Sequence, residues 1–90
     1  MKVKIAEHPG VKLRQLLKDA DVPHKVFAPK IGMHNTHFSN LLNGGRHISA
    51  TLAIRLEKLT AWSAEQWMTW QMRYDLSVAR KNKKVRRRLK

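Results

Sequence analysis

The 90-residue chain has no cysteine, which excludes disulfides and thiolate metal sites. Acidic residues are scarce: six Asp and Glu stand against 19 Lys and Arg, a net charge of +13. No apolar run approaches the ~20 residues of a membrane span. The opening residues, Met1 to Ala6, are too few and too interrupted by lysine for a signal peptide. A cytoplasmic protein with no membrane partner is expected. No stretch alternates apolar and polar residues as a half-buried strand would. The equipment of catalysis is missing as well. The carboxylates Glu7, Asp19, Asp21, Glu57, Glu65 and Asp75 are scattered, and Asp19 and Asp21, two apart, do not face each other on a helix. There is no phosphate-cradling glycine loop and no nucleophile elbow. Neither an enzyme nor a cofactor is expected. Among the five histidines, His34 and His37 are three apart and His47 follows, but nothing supplies a fourth strong ligand, so no metal is expected.

What remains is a helical pattern over nearly the whole length. Ninety residues, 42% of them hydrophobic, suit one small domain. Pro9-Gly10 opens a first helix to about Ala20, with Val11, Leu13, Leu16 and Leu17 on its apolar side. A second helix is expected over His24 to Ile31 and a third over Asn35 to Leu42, ended by Asn43-Gly44-Gly45. Ser49 caps a fourth helix to Leu59, with Leu52, Ile54, Leu56 and Leu59 as its apolar positions. Ser63 and Gln66 fit a capping box for a fifth helix reaching Lys81. On it Trp67, Trp70, Gln71 and Tyr74 share one side, beside a stripe of Met68, Met72 and Leu76. Pro29 breaks the pattern of the second helix, because it has no N–H and crowds the carbonyl of Lys25. A distorted or 3₁₀-like last turn is expected there.

The most telling stretch is Phe27 to Leu41. Phe27, Ile31, Phe38 and Leu41 fall where two short helices crossing steeply would bury them. Ala28 is small where the second helix comes close. Gly32 falls where the turn needs a positive φ, which costs a residue with a Cβ roughly 1–2 kcal/mol. Met33 packs under the turn. This is the spacing of a DNA-binding helix-turn-helix, and it leaves the later helix with a polar face for the major groove.

Asn35, Thr36, Ser39 and Asn40 on that face are the expected base readers. An Asn can bond adenine through N6 and N7, and a Thr can meet the thymine methyl. His24, Lys25, Lys30, His37, Asn43 and Arg46 are the expected phosphate contacts. Residues 80–90 hold eight of the basic residues and leave the rest of the chain at +5. The expected organisation is an N-terminal arm (1–7), a domain (8–81) and a basic tail (82–90) acting on the phosphate backbone. Trp67, Trp70 and Tyr74 are candidates for a homodimer interface, since three tryptophans exceed what one small core readily hides.

Together with their flanks, these residues resemble the HigA (VapI-type) antitoxins, a branch of the XRE-like helix-turn-helix family. The likeness begins at His8-Pro9-Gly10 and runs through Phe27-Ala28, Ile31-Gly32 and Leu41-Leu42-Asn43-Gly44. It continues in Ile48-Ser49 and Leu52-Ala53-Ile54-Arg55-Leu56, and closes with Trp67, Gln71 and Tyr74-Asp75-Leu76. The chain departs from the family at Pro23 and His24, where Ser and Gln are usual, and at Pro29. The resemblance implies an all-α, five-helix, lambda-repressor-like domain that dimerises through its C-terminal part. It implies a repressor of its own operon that binds a palindromic operator in double-stranded DNA. It also implies a protein partner, a HigB-type toxin of the RelE-like fold that cleaves mRNA. Such toxins are commonly basic, so a chain of +13 meets one against repulsion. A stand-alone XRE-type regulator is the alternative.

Overall fold

The computed structural model describes residues 5–82. Most of the expected arm and tail, residues 1–4 and 83–90, lies outside them. Five helices follow in order, α1 (Pro9–Asp19), α2 (His24–Lys30), α3 (Asn35–Leu42), α4 (Ala50–Leu59) and α5 (Ala64–Lys81). Among the described residues there is no strand. The fold is the all-α, five-helix helix-turn-helix architecture expected from the pattern.

The start of α1 explains the His8-Pro9-Gly10 triplet. His8 is the N-cap, its Nδ1 accepting the Gly10 N–H at 2.8 Å. Pro9 takes the first helical position, where its missing N–H costs nothing. Gly10 is pressed against α3, and a Cβ there would overlap the Leu41 carbonyl oxygen. The triplet therefore caps a helix and lets its backbone touch another.

Helices α1, α2 and α3 all end in the same hydrogen-bonded corner. Val22 N–H donates to Leu17 O (2.9 Å), Met33 N–H to Ala28 O (3.0 Å) and Gly45 N–H to Asn40 O (2.7 Å). The shorter partner bonds run from Asp21 to Lys18, Gly32 to Pro29 and Gly44 to Leu41. This is the Schellman arrangement, which needs a left-handed residue after the C-cap. Gly32 (φ 71°) and Gly44 (φ 84°) supply it, and at the α1 exit Asp21 does so at φ 59°.

Pro29 disturbs α2 less than expected. It is the last residue but one, and the helix keeps α geometry through Lys30. The tightening comes at the exit, where Ile31 and Gly32 donate to residues three back, Ala28 (3.1 Å) and Pro29 (3.0 Å). The donor that Pro29 lacks would have served the carbonyl of Lys25, an exposed residue.

Every helix feeds one core: Leu13 and Leu17 from α1, Phe27 and Ala28 from α2, Phe38, Leu41 and Leu42 from α3, Ala53 and Leu56 from α4, and Trp67 from α5. Ile31 and Ile48 fill it from the connections. Each large side chain removed from water contributes roughly 1.5–3 kcal/mol. Two expected core positions on α4, Ile54 and Leu59, are instead exposed. Ile54 points away from Ala53 and Leu56, and Leu59 is the last residue of α4, where the core ends.

At the α4–α5 corner the Ser63 hydroxyl accepts the Gln66 N–H at 3.1 Å, and Glu57 of α4 accepts the Ala64 N–H at 2.7 Å. Trp67 anchors α5, its Nε1 donating to Thr60 Oγ1 at 3.2 Å and its ring meeting Trp62 and Trp70 edge-on. Trp67 is 0% exposed. This corrects its assignment to a dimer interface: a side chain wholly inside its own core has no surface to offer a second copy. Trp70 and Tyr74 are half-buried. Tyr74 meets the His8 ring edge-on, and Trp70 carries the Lys12 ammonium over its face.

Candidate nucleic-acid interface

Helix α3 divides along its length into two chemistries. Phe38, Leu41 and Leu42 face the core, while Asn35, Thr36, Ser39 and Asn40 are all exposed. Residues 35 and 39, and 36 and 40, are one turn apart and stand in two rows on the outer surface. Among the described residues, none of these four side chains is taken up by a hydrogen bond to another part of the protein. Gly45 is tied to the end of this helix through the Asn40 carbonyl, so the following loop starts from a fixed point.

Beside α3 runs a groove of about 660 Å³ between the end of α1, the start of α2 and the outer side of α3. His24 and Lys25 stand on one wall, with Asn35 and Ser39 on the other. The His24 ring rests edge-on against Phe38, centroids 5.9 Å apart, which places it from the core side. Pro23 is the N-cap of α2 and has no side-chain acceptor for the helix N–H groups.

Two cations of α1, Arg14 and Lys18, also line this groove. The sequence reading gave them no role. They are four apart and exposed on one side of α1. That spacing was visible in the sequence, but that this side borders α3 is a fact of packing. Arg14 Nη1 also donates to Asn43 Oδ1 at 3.2 Å, joining α1 to the end of α3. Asp21 is the single acid on the groove wall.

The other expected contacts lie outside the groove. Thr36, His37 and Lys30 are exposed but do not line it. The His37 ring stands edge-on to His34 at 6.2 Å. Among the described residues no three His, Asp or Glu side chains converge as a metal site would require. Arg46 is exposed on the loop between α3 and α4.

That loop rests on a buried layer. His8 is 4% exposed, and its ring lies under Gly44, where a Cβ would stand 3.6 Å away. Burial pushes the His8 pKa below its ordinary value of 6.5, with the Arg46 backbone acting in the opposite direction. The ring is therefore neutral near pH 7, as its role as acceptor for Gly10 demands.

No protein-family model matches the chain. It is 31% identical over 77 residues to virulence-associated protein A' of Dichelobacter nodosus, taking in 84% of this chain and 67% of that one. It superposes on an antidote protein of a plasmid maintenance system from Nostoc punctiforme with a TM-score of 0.83 and 31% identity, covering 90% and 89% of the two chains. It superposes also on the Pseudomonas aeruginosa antitoxin HigA, solved with the higBA promoter, with a TM-score of 0.79 and 29% identity over 93% and 95% of the chains.

Proposed function

Since the chain belongs to the HigA (VapI-type) antitoxin family, we propose that it binds a palindromic operator in its own operon as a dimer and neutralises a HigB/RelE-like, mRNA-cleaving toxin. The observation that carries the DNA half is the outer face of α3. Asn35, Thr36, Ser39 and Asn40 stand clear of the core beside a groove walled by Arg14, Lys18, His24 and Lys25. The four polar residues read bases. The four groove-wall residues, with Lys30, His37, Asn43 and Arg46, hold phosphate. The basic tail, 82–90, adds affinity without sequence preference.

The dimer forms along α5, whose outward side presents Met68, Met72 and Leu76 at four-residue spacing, Met72 being 49% exposed. Trp70 and Tyr74 lie on the opposite side of α5, half-buried against Trp62 and His8. Two copies related by a two-fold axis present their α3 helices to successive major grooves, about 34 Å apart. No described helix is long and apolar enough to cross a membrane. The protein works in the cytoplasm, at the nucleoid when DNA-bound.

The test uses the DNA upstream of the chain's own coding sequence. It should bind at least about 10³-fold tighter than random duplex. Asn40→Ala should erode that excess, and deletion of 82–90 should weaken all duplexes alike. Equal binding to every duplex would overturn operator recognition. Co-purification with the RelE-like product of a neighbouring gene tests the toxin half. The net charge of +13 favours a second reading, a stand-alone regulator, because a basic toxin would be repelled at long range. Operator binding without a co-purifying partner would select it.

A further inference from the structure

We infer that Gln71 is a positioning residue for DNA binding, holding from α5 the loop that carries Arg46. The inference rests on the operator-binding reading above. Gln71 is 4% exposed, a neutral amide buried on a helix whose neighbouring inward residue is Trp67. Its Oε1 accepts the Ile48 N–H at 2.7 Å. Its Nε2 donates to Asp75 Oδ1 at 2.9 Å and lies 3.0 Å from His47 Nδ1. His47 Nδ1 is in turn 3.4 Å from Asp75 Oδ1. One side chain thus spends its acceptor on the loop backbone and its donors on the loop's histidine and on its own helix.

The loop is pinned at both ends. At its start Gly44 and Gly45 donate to Leu41 and Asn40, which fixes it to α3. At its end Ile48 is 2% exposed, with its side chain in the core and its N–H on Gln71. Arg46 lies between these anchors and is exposed. Without Gln71, the Ile48 N–H would be buried with no partner, a state that proteins avoid by shifting backbone toward water. Arg46 would shift with it, while α3 and its base-reading face would stay in place. Gln71 touches no DNA; it sets where Arg46 meets the phosphate.

The experiment compares parent, Gln71→Met, Arg46→Ala and the double variant for binding to a labelled duplex from the upstream region across a salt series. Met matches the volume of Gln but offers the loop nothing. Gln71→Met and Arg46→Ala should each lower affinity about tenfold and make the slope of log K against log salt shallower by about one unit. The double variant should be no worse than either single one, because both remove the same contact. A second variant guards against simple unfolding. Gln71→Glu with Asp75→Asn exchanges donor and acceptor across the pair, keeps an acceptor for Ile48 N–H, and should restore parental affinity and slope. Three results would overturn the inference: parental binding by Gln71→Met, multiplying effects in the double variant, or an exchange pair no better than Gln71→Met. Failure of the parent to prefer its upstream duplex would instead sink the operator reading itself.

Discussion

The corner between α1 and α2 and the corner between α2 and α3 have the same hydrogen bonds and opposite demands on sequence. At the first, Asp21 holds the left-handed position at φ 59° and faces solvent and the cationic groove. At the second, Gly32 holds it at φ 71° under a roof. Arg55 of α4 donates through Nη1 to the Ile31 carbonyl at 3.1 Å, and that nitrogen would lie 2.8 Å from a Cβ on Gly32. The backbone geometry alone tolerates Asp, Asn or Gly. What sets the Gly32 corner apart is the Arg55 guanidinium packed over it, which a Cβ would push off the Ile31 carbonyl. The helix-turn-helix corner is therefore a three-part joint of turn, glycine and clamp, whereas the first corner is a turn alone.

The comparison can be broken most sharply at Gly32. Gly32→Ala should cost about 2–3 kcal/mol in chemical unfolding, part from the positive φ and part from displacing Arg55. With Arg55→Ala already in place, the same change should cost only the backbone share, about 1 kcal/mol. Equal costs in both backgrounds would mean that the roof is irrelevant. Arg55→Ala alone should lose about 1–2 kcal/mol, the worth of a charged donor on the Ile31 carbonyl. Asp21→Gly should run the other way. It relieves the left-handed position and stabilises by about 0.5–1 kcal/mol. It also removes the groove's one acid, so binding to every duplex should tighten, while Asp21→Asn should tighten binding without the gain in stability.

The third corner gives the smallest effect, and one that depends on pH. Gly44 lies on the neutral His8 ring. Because the His8 pKa is lowered by folding, the unfolded chain takes up the proton first as pH falls. Stability is unaffected well above 6.5, declines as pH falls below it, and levels off under the native pKa. His8→Asn keeps a capping acceptor and titrates nowhere in this range. Its melting temperature should fall less than that of the parent between neutral and mildly acid pH.

Much of the fold could be read in the sequence because its signals are local. Asn35–Leu42 matches the expected helix at both ends: Asn-Gly-Gly closes it through the left-handed Gly44, while its start at His34 carries no side-chain cap. The Ser49 and Ser63 caps are likewise local chemistry, and both hydroxyls accept the third N–H onward. What escaped is what only packing decides. Periodicity grouped Trp67 with Trp70 and Tyr74 but did not say which of them the core would swallow. Arg14 and Lys18 were an ordinary basic pair until α1 was laid beside α3. Gln71 looked like one more member of a helical face, and its bond to Ile48, 23 residues back, has no local signature.

The tryptophans carry one more consequence. All three, Trp62, Trp67 and Trp70, pack against one another at the α4–α5 corner, and none lines the groove beside α3. The chain's indole fluorescence is thus a built-in optical probe of a single corner. It should report melting without any label and stay nearly constant when a duplex docks on α3. A change in emission on adding DNA would mean that the far end of the molecule had felt the binding.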